Sequence, residues 1–336
     1  MVNWILVGCG DISNKRVAPA IKNQPQSRLA AVVSPYTDEL DGFAQKHGIL
    51  KKYLSIEEAL EDKETDAVYI ATPVFLHHEL ALSALKKGKH VLVEKPMAMT
   101  VEQCEELVSE SERQNLRLGV AYYRRFFPKL NEVKRILQEG IIGDVIQARI
   151  MYHTWYGPVK DDSKAWRVVK KRSGGGPLWD MGCHKFDMLV YLLGMPKTVC
   201  GVMNTITHSY EVEDSCSTLM EMDNGAQVLA SFNWNSKVWS DEFEILGTEG
   251  KITMKPCDSD NLELQLNPKN LKGMGRESTT VTIPNHNNVH YPLIDDFARA
   301  VEEGRQPLVS GTEGYKTNRI LAAIEESAIT GKRIIL

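Results

Sequence analysis

Hydrophobic residues in the first 120 positions fall into short solid blocks, separated by longer stretches where they recur every three or four residues. The blocks Trp4 to Val7, Leu29 to Val33, Ala67 to Ala71, His90 to Val93 and Arg117 to Val120 are too short for helices and show little polar alternation, which predicts strands buried on both faces. The stretches Ile12 to Lys22, Thr37 to His47, Leu76 to Lys87 and Val101 to Gln114 carry helical spacing, with Gly48, Gly88 and Asn115 as stops. Strand and helix in strict alternation predict a parallel sheet covered by helices. A further amphipathic stretch, Pro128 to Gln138, ends at Gly140, and beyond Asp144 the pattern changes. Runs such as Val145 to Ile150 and Gln227 to Phe232 alternate residue by residue, predicting an antiparallel sheet with one packed face. Asp223-Asn224-Gly225 between two such runs is a hairpin signal. Helical patterns at Met181 to Leu193, about Pro292 to Glu303 and Gly314 to Thr330 complete the chain. The fold class is therefore α/β, with a parallel-sheet domain over 1–122 and a second domain with a large, mainly antiparallel sheet over 123–336, the C-terminal helices being free to pack back on the first.

Charge narrows the partners. Forty basic and 44 acidic residues leave a formal charge of −4, so no net field draws the chain to nucleic acid or a membrane, and a small ligand is expected. No apolar run approaches the roughly 20 residues that span a bilayer, and Met1-Val2-Asn3-Trp4 enters the first strand without a charged leader, so a cytoplasmic enzyme is expected. The six cysteines are dispersed with no C-x-x-C pair, which predicts reduced thiols and neither a disulfide framework nor a bound metal.

Three segments carry candidate chemistry. Gly8-Cys9-Gly10-Asp11-Ile12-Ser13 follows a strand and opens a helix, as a dinucleotide-binding turn requires: Gly8 and Gly10 let the backbone approach a pyrophosphate at the positive end of the helix. Ser13 stands where a third glycine is usual; a small serine still permits close packing of helix on strand. The second strand ends Val33-Ser34-Pro35-Tyr36 without the carboxylate that would hold a ribose 2′-hydroxyl, and Ser34 can donate to a 2′-phosphate. The cofactor is thus NAD or NADP, leaning to NADP. Glu94-Lys95-Pro96 follows the fourth block at the carboxyl edge, where parallel sheets bind ligands; Lys95 there can donate to a substrate hydroxyl and stabilise the developing alkoxide, though an isolated lysine is more often only solvated. Gly174-Gly175-Gly176 leads into Asp180 and His184, four residues apart and on one helical face. His184 can accept a hydroxyl proton, with Asp180 binding a neighbouring hydroxyl. A helix cap for Asp180, a core histidine for His184 and a solvated Asp187 are the plainer readings of each taken alone.

These segments in this order, together with Thr72-Pro73 and His77, Arg125-Phe126-Phe127-Pro128 and Trp166-Arg167, resemble the glucose-fructose oxidoreductase, inositol dehydrogenase and rhizopine-catabolism family, Gfo/Idh/MocA, over nearly the whole chain. The resemblance implies an N-terminal Rossmann domain and a C-terminal α/β domain whose open sheet face pairs in a homodimer or homotetramer. It implies hydride transfer between NAD(P) and a secondary carbinol of a sugar, inositol or related polyol. Carried over by position, Lys95 is the catalytic lysine, Asp180 a substrate ligand and His184 the proton acceptor. Gly8, Gly10, Asp11, Ile12, Ser34, Thr72, Pro73, His77, Glu94 and Lys95 would bind the cofactor, and Tyr123, Arg124, Trp166 and Arg167 would lie near nicotinamide or substrate. The Lys95-Pro96 bond is expected in cis. Two other activities occur on relatives of this fold: a redox-neutral glycosidase using held NAD, and a non-catalytic regulator, which has no need of Lys95 and His184. The basic run Lys160, Lys164, Lys170, Lys171 and Arg172 suggests an anionic sugar.

Overall fold

The computed structural model describes residues 1–159, 162, 164–267 and 277–336. Its contacts divide the chain into two units, Met1–Phe126 with His286–Asn318, and Phe127–Asn285 with Arg319–Leu336.

The first unit opens with strands β1 (Val2–Val7), β2 (Ser27–Val33), β3 (Lys51–Tyr53), β4 (Ala67–Ile70), β5 (His90–Val93) and β6 (Leu118–Val120), all parallel, in the order β3-β2-β1-β4-β5-β6. The order reverses between β1 and β4, the switch point outside whose carboxyl ends open parallel sheets generally bind ligands. Helices α1 (Ala18–Asn23), α2 (Thr37–His47), α3 (Ile56–Leu60), α4 (His77–Lys86) and α5 (Val101–Arg113) form the crossovers. Gly48, Gly88 and Asn115 take left-handed φ of +67°, +76° and +55°, ending helices where the sequence marked stops.

Two elements correct the sequence reading. The sheet has a sixth strand, β3, whose Lys51-Lys52-Tyr53 lacks an apolar block because it sits at the edge and pairs only with β2. The helix expected over Ile12 to Lys22 is not one α-helix: a wide turn runs from Ser13 to Val17, with the Ala18 N–H donating to the Ser13 carbonyl, before α1 begins. Pro19 has no N–H to offer the preceding turn, so the hydrogen-bond ladder cannot run through it in α-helical register.

The second unit contains α6 (Pro128–Gln138), β7 (Val145–Trp155), α7 (Lys170–Ser173), a wide turn from Leu178 to Gly182, and α8 (Cys183–Leu193). Strands β8 (Pro196–Asn204), β9 (Ser215–Met222), β10 (Gln227–Asn233), β11 (Asn235–Gly247), β12 (Gly250–Met254), β13 (Asn261–Leu266) and β14 (Glu277–Thr282) follow. Helix α9 (Tyr291–Glu303) belongs to the first unit, α10 (Gly311–Thr330) contributes to both, and β15 (Ile334–Ile335) closes the chain. Among the described residues the second sheet has nine strands, ordered β14-β13-β12-β11-β7-β10-β9-β8-β15, antiparallel except where β7 meets β10. Asp223-Asn224-Gly225 makes the expected hairpin between β9 and β10, Gly225 at φ +83°.

Alternation decides which face is covered. Ala148, Ile150, Val228, Ala230, Phe232, Phe243 and Ile245 point inward and are buried, and Phe186 of α8 meets Phe232 edge-on at 5.3 Å between ring centroids. Beneath α8, the buried Lys185 ammonium pairs with Asp241 at 2.5 Å. In the first unit α9 lies against the parallel sheet, its Phe297 5.4 Å from the Trp4 ring and against Gly119, where a Cβ would come within 2.9 Å of that phenyl.

Candidate active site

In the first unit three loops leave the carboxyl ends of β1, β4 and β5 side by side. Gly8 after β1 has φ +102°, and a Cβ there would sit 2.7 Å from the Ala71 carbonyl oxygen, so two strand ends approach only because the residue is glycine. Gly10 is exposed and a Cβ there would meet nothing within 4 Å, leaving backbone open to a ligand. Asn14 braces the turn, its amide donating to the Cys9 carbonyl at 3.0 Å. Ser13 is fully buried, which is why only a small residue fits. Its hydroxyl and that of Thr72 are buried without a hydrogen-bond partner among the described residues. An open glycine backbone and a buried Thr72 hydroxyl at the strand ends fit the binding of a nicotinamide dinucleotide.

Asp11 is exposed and lies 3.2 Å from Lys15, and Ile12 is half-buried. Ser34 does not stand ready for a 2′-phosphate. It is 3% exposed, its oxygen accepts from the Tyr36 N–H at 3.3 Å, and its hydroxyl faces the Cys9 thiol, which burial pushes up to about 11. The inference toward NADP drawn from Ser34 therefore loses its support. His77 is also turned inward: buried, with Nδ1 2.8 Å from the Pro96 carbonyl and Nε2 2.8 Å from the Thr72 carbonyl. Burial lowers its pKa against the pull of those two oxygens. It ties the Thr72-Pro73 turn to the Glu94-Lys95-Pro96 loop instead of lining open space.

That loop has a buried support. Lys95 is half-buried and its bond to Pro96 is cis. The Glu94 carboxylate accepts from the Tyr69 hydroxyl at 2.8 Å, with His290 Nε2 at 3.6 Å. Burial pushes Glu94 up, but the histidine, the phenol and the Lys95 charge together hold it below the usual carboxylate range. His290 packs tilted against Tyr123 at 4.7 Å between ring centroids, and the buried Arg124 lies over the same Tyr123 ring at 5.0 Å. Reading the sequence did not find His290, because nothing local links it to Glu94 almost two hundred residues away.

In the second unit Asp180 and His184 share the wide turn and the start of α8. Asp180 is half-buried, 3.9 Å from Arg167 Nε, and its charge raises the Arg167 pKa. Arg167 in turn lies 5.4 Å from the Trp166 ring centroid, so Trp166, Arg167 and Asp180 form one cluster. His184 is 4% exposed and Asp187 fully buried, so Asp187 is not a solvated face. The glycine run is not an open cradle: a Cβ on Gly174 or Gly175 would come within 2.6 or 2.1 Å of the Trp179 ring, and one on Gly176 within 2.0 Å of the Glu213 carbonyl oxygen. Of the basic run, Lys164, Lys171 and Arg172 are exposed, Lys170 pairs with Glu325 at 2.5 Å, and Lys160 lies outside the described residues.

Comparison with known proteins gives the family. The family model of oxidoreductases with an NAD-binding Rossmann fold matches residues 2–122, and that of the GFO/IDH/MocA C-terminal domain matches residues 130–253. The chain belongs to the GFO/IDH/MocA oxidoreductase family. Among its relatives, Oxidoreductase P35 of Formosa agariphila is 31% identical over 258 residues, covering 75% of this chain and 78% of that protein. The 1,5-anhydro-D-fructose reductase of Ensifer adhaerens is 29% identical over 342 residues, covering 99% and 98%. A levoglucosan dehydrogenase in complex with NADH shares the fold, with a TM-score of 0.90 at 24% identity over 99% of this chain and 98% of its own. This GFO/IDH/MocA member is an oxidoreductase with a Rossmann domain for a nicotinamide cofactor. No helix among the described residues is long and apolar enough to cross a membrane.

Proposed function

We propose that the protein transfers a hydride between NAD or NADP and a secondary carbinol of a sugar, inositol or related polyol. The observation that carries this reading is the strand-end lysine: Lys95 leaves the same carboxyl edge of the parallel sheet as Gly8 and Thr72, on a loop held by Glu94 and His77. The relatives support the substrate class, since one reduces 1,5-anhydro-D-fructose and another is named for levoglucosan.

In the oxidative direction His184 takes the proton of the substrate hydroxyl, the C–H electron pair leaves as hydride, and a C=O bond forms. The Lys95 ammonium donates to the same oxygen and stabilises charge as the proton leaves. Asp180, aligned by Arg167, binds a neighbouring hydroxyl. When bound, the nicotinamide supplies the hydride acceptor. The end of β2 carries no carboxylate beside the ribose and no basic group directly after it, so both dinucleotides remain candidates.

We also read the outer face of the second sheet as the contact with a second copy, giving a homodimer or homotetramer. Val202, Leu219 and Leu229 are exposed there at 63%, 42% and 42%, on neighbouring strands β8, β9 and β10. The test of the catalytic reading is turnover with a panel of aldoses, anhydrosugars and inositols, followed by the absorbance of reduced nicotinamide. Reduced cofactor accumulating with one class supports it; product release from a glycoside with no net reduction would instead identify the redox-neutral glycosidase.

A further inference from the structure

We infer that Glu213 is a positioning residue for the proposed hydride-transfer chemistry, acting through the Gly174–Gly176 turn on Asp180 and His184. The inference rests on the oxidoreductase reading only for its effect on rate.

Glu213 lies just ahead of β9, far in sequence from the turn, and is 7% exposed. Its Oε2 accepts the Gly176 N–H at 2.8 Å and its Oε1 accepts the Leu178 N–H at 3.2 Å. Pro177 stands between these two and has no N–H, so one carboxylate satisfies both backbone donors at the mouth of the wide turn. The approach is double, because the Gly176 backbone also packs on the Glu213 backbone, where a Cβ would come within 2.0 Å of the carbonyl oxygen. On its other side the Gly176 peptide holds the site directly: its carbonyl accepts the Trp179 N–H at 3.1 Å and the Asp180 N–H at 3.0 Å. A continuous path of contacts thus runs from the Glu213 carboxylate through one residue, Gly176, to Asp180, and along the following turn to His184.

The anchor is itself fixed. Asp214, the next residue, accepts the N–H groups of Ile206, Thr207 and His208 at 2.8, 2.8 and 2.9 Å and the Asn235 side-chain amide at 3.1 Å. Burial pushes the Glu213 carboxyl up to about 7, against the pull of its two N–H donors and the Lys170 charge on α7; the Cys216 thiol, three residues on, is raised by burial and by the field of Glu213. A carboxylate held at that cost suits a turn whose two donors need an acceptor with two oxygens.

The test compares Glu213→Gln and Glu213→Ala with the wild-type full chain by hydrogen exchange of the 174–182 peptide, nicotinamide binding and steady-state turnover. Faster exchange of that peptide in both variants is expected, with cofactor affinity unchanged within about twofold. Loss of kcat of up to roughly 100-fold is expected for Glu213→Ala, the scale of an ångström-level misplacement, and partial recovery for Glu213→Gln, which keeps one acceptor. Wild-type exchange, corrected for its intrinsic pH dependence, should gain protection in the same peptide as pH falls through about 7, because opening the turn returns the Glu213 carboxyl to its ordinary range. Unchanged exchange in both variants, or faster exchange with wild-type kcat, overturns the inference. If the variants do not fold, a pH-independent wild-type exchange pattern overturns it. If no sugar is turned over by the wild type, the exchange arms still decide the anchoring, and the failure then falls on the reaction.

Discussion

The two glycines of the dinucleotide turn are predicted to fail in different ways. Gly8→Ala places a methyl 2.7 Å from the Ala71 carbonyl at a backbone φ of +102°. The left-handed conformation costs an L-residue about 1–2 kcal/mol and the forced contact with backbone about 1–3 kcal/mol more. A loss of about 2–5 kcal/mol would remove much of a stability that is typically about 5–15 kcal/mol. Gly10→Ala has neither problem, since no atom lies within 4 Å of the new methyl and φ is not left-handed. Its stability should stay within about 1 kcal/mol of wild type, while the methyl stands where phosphates must approach and weakens dinucleotide binding roughly tenfold to a hundredfold. Denaturant unfolding and cofactor titration on both variants read the two effects separately. Wild-type stability in Gly8→Ala, or wild-type affinity in Gly10→Ala, would refute the assignment of close packing to the first and ligand approach to the second.

Lys95→Ala and His184→Ala should each remove most hydride transfer while leaving cofactor affinity nearly intact, measured as kcat/KM beside a binding titration; retained turnover in both contradicts the proposed proton handling. Glu213 links stability to pH: its folded pKa of about 7 lies above the ordinary 4.5, so its contribution is fully present below about pH 4.5 and is lost as pH rises through 7, a change on the order of 3 kcal/mol. Unfolding midpoints of wild type against Glu213→Gln across that window should diverge accordingly, and parallel curves would contradict the burial of an ionisable carboxyl. Replacing Leu219 and Leu229 together by arginine should shift the protein to monomers in analytical ultracentrifugation, since both side chains are exposed on the outer sheet face; an unchanged sedimentation coefficient removes that face from the assembly.

Much of this was legible because the residues concerned act through their neighbours in sequence. Buried strands announce themselves as apolar blocks, and Gly48, Gly88 and Asn115 end helices by their own backbone preferences. The edge strand β3 was hidden because an edge needs no apolar block, and Pro19 was overlooked as the reason the first helix starts late. The three glycines at 174–176 were legible as a turn but not as a packing surface, since Trp179 and Glu213 fill the space a Cβ would occupy. Ser34 was read by its position at a strand end, whereas burial turns its hydroxyl toward Cys9. Glu213 and His290 support the site from distant segments, with no periodicity or motif to mark them.

The most direct test of the central claim is calorimetric titration of the purified protein with NAD, NADH, NADP and NADPH, after denaturing a sample to detect cofactor already held. The account predicts saturable one-site binding of one oxidised and reduced pair, weakened in Gly10→Ala. Absence of binding by all four, in protein shown to hold no cofactor, would contradict it.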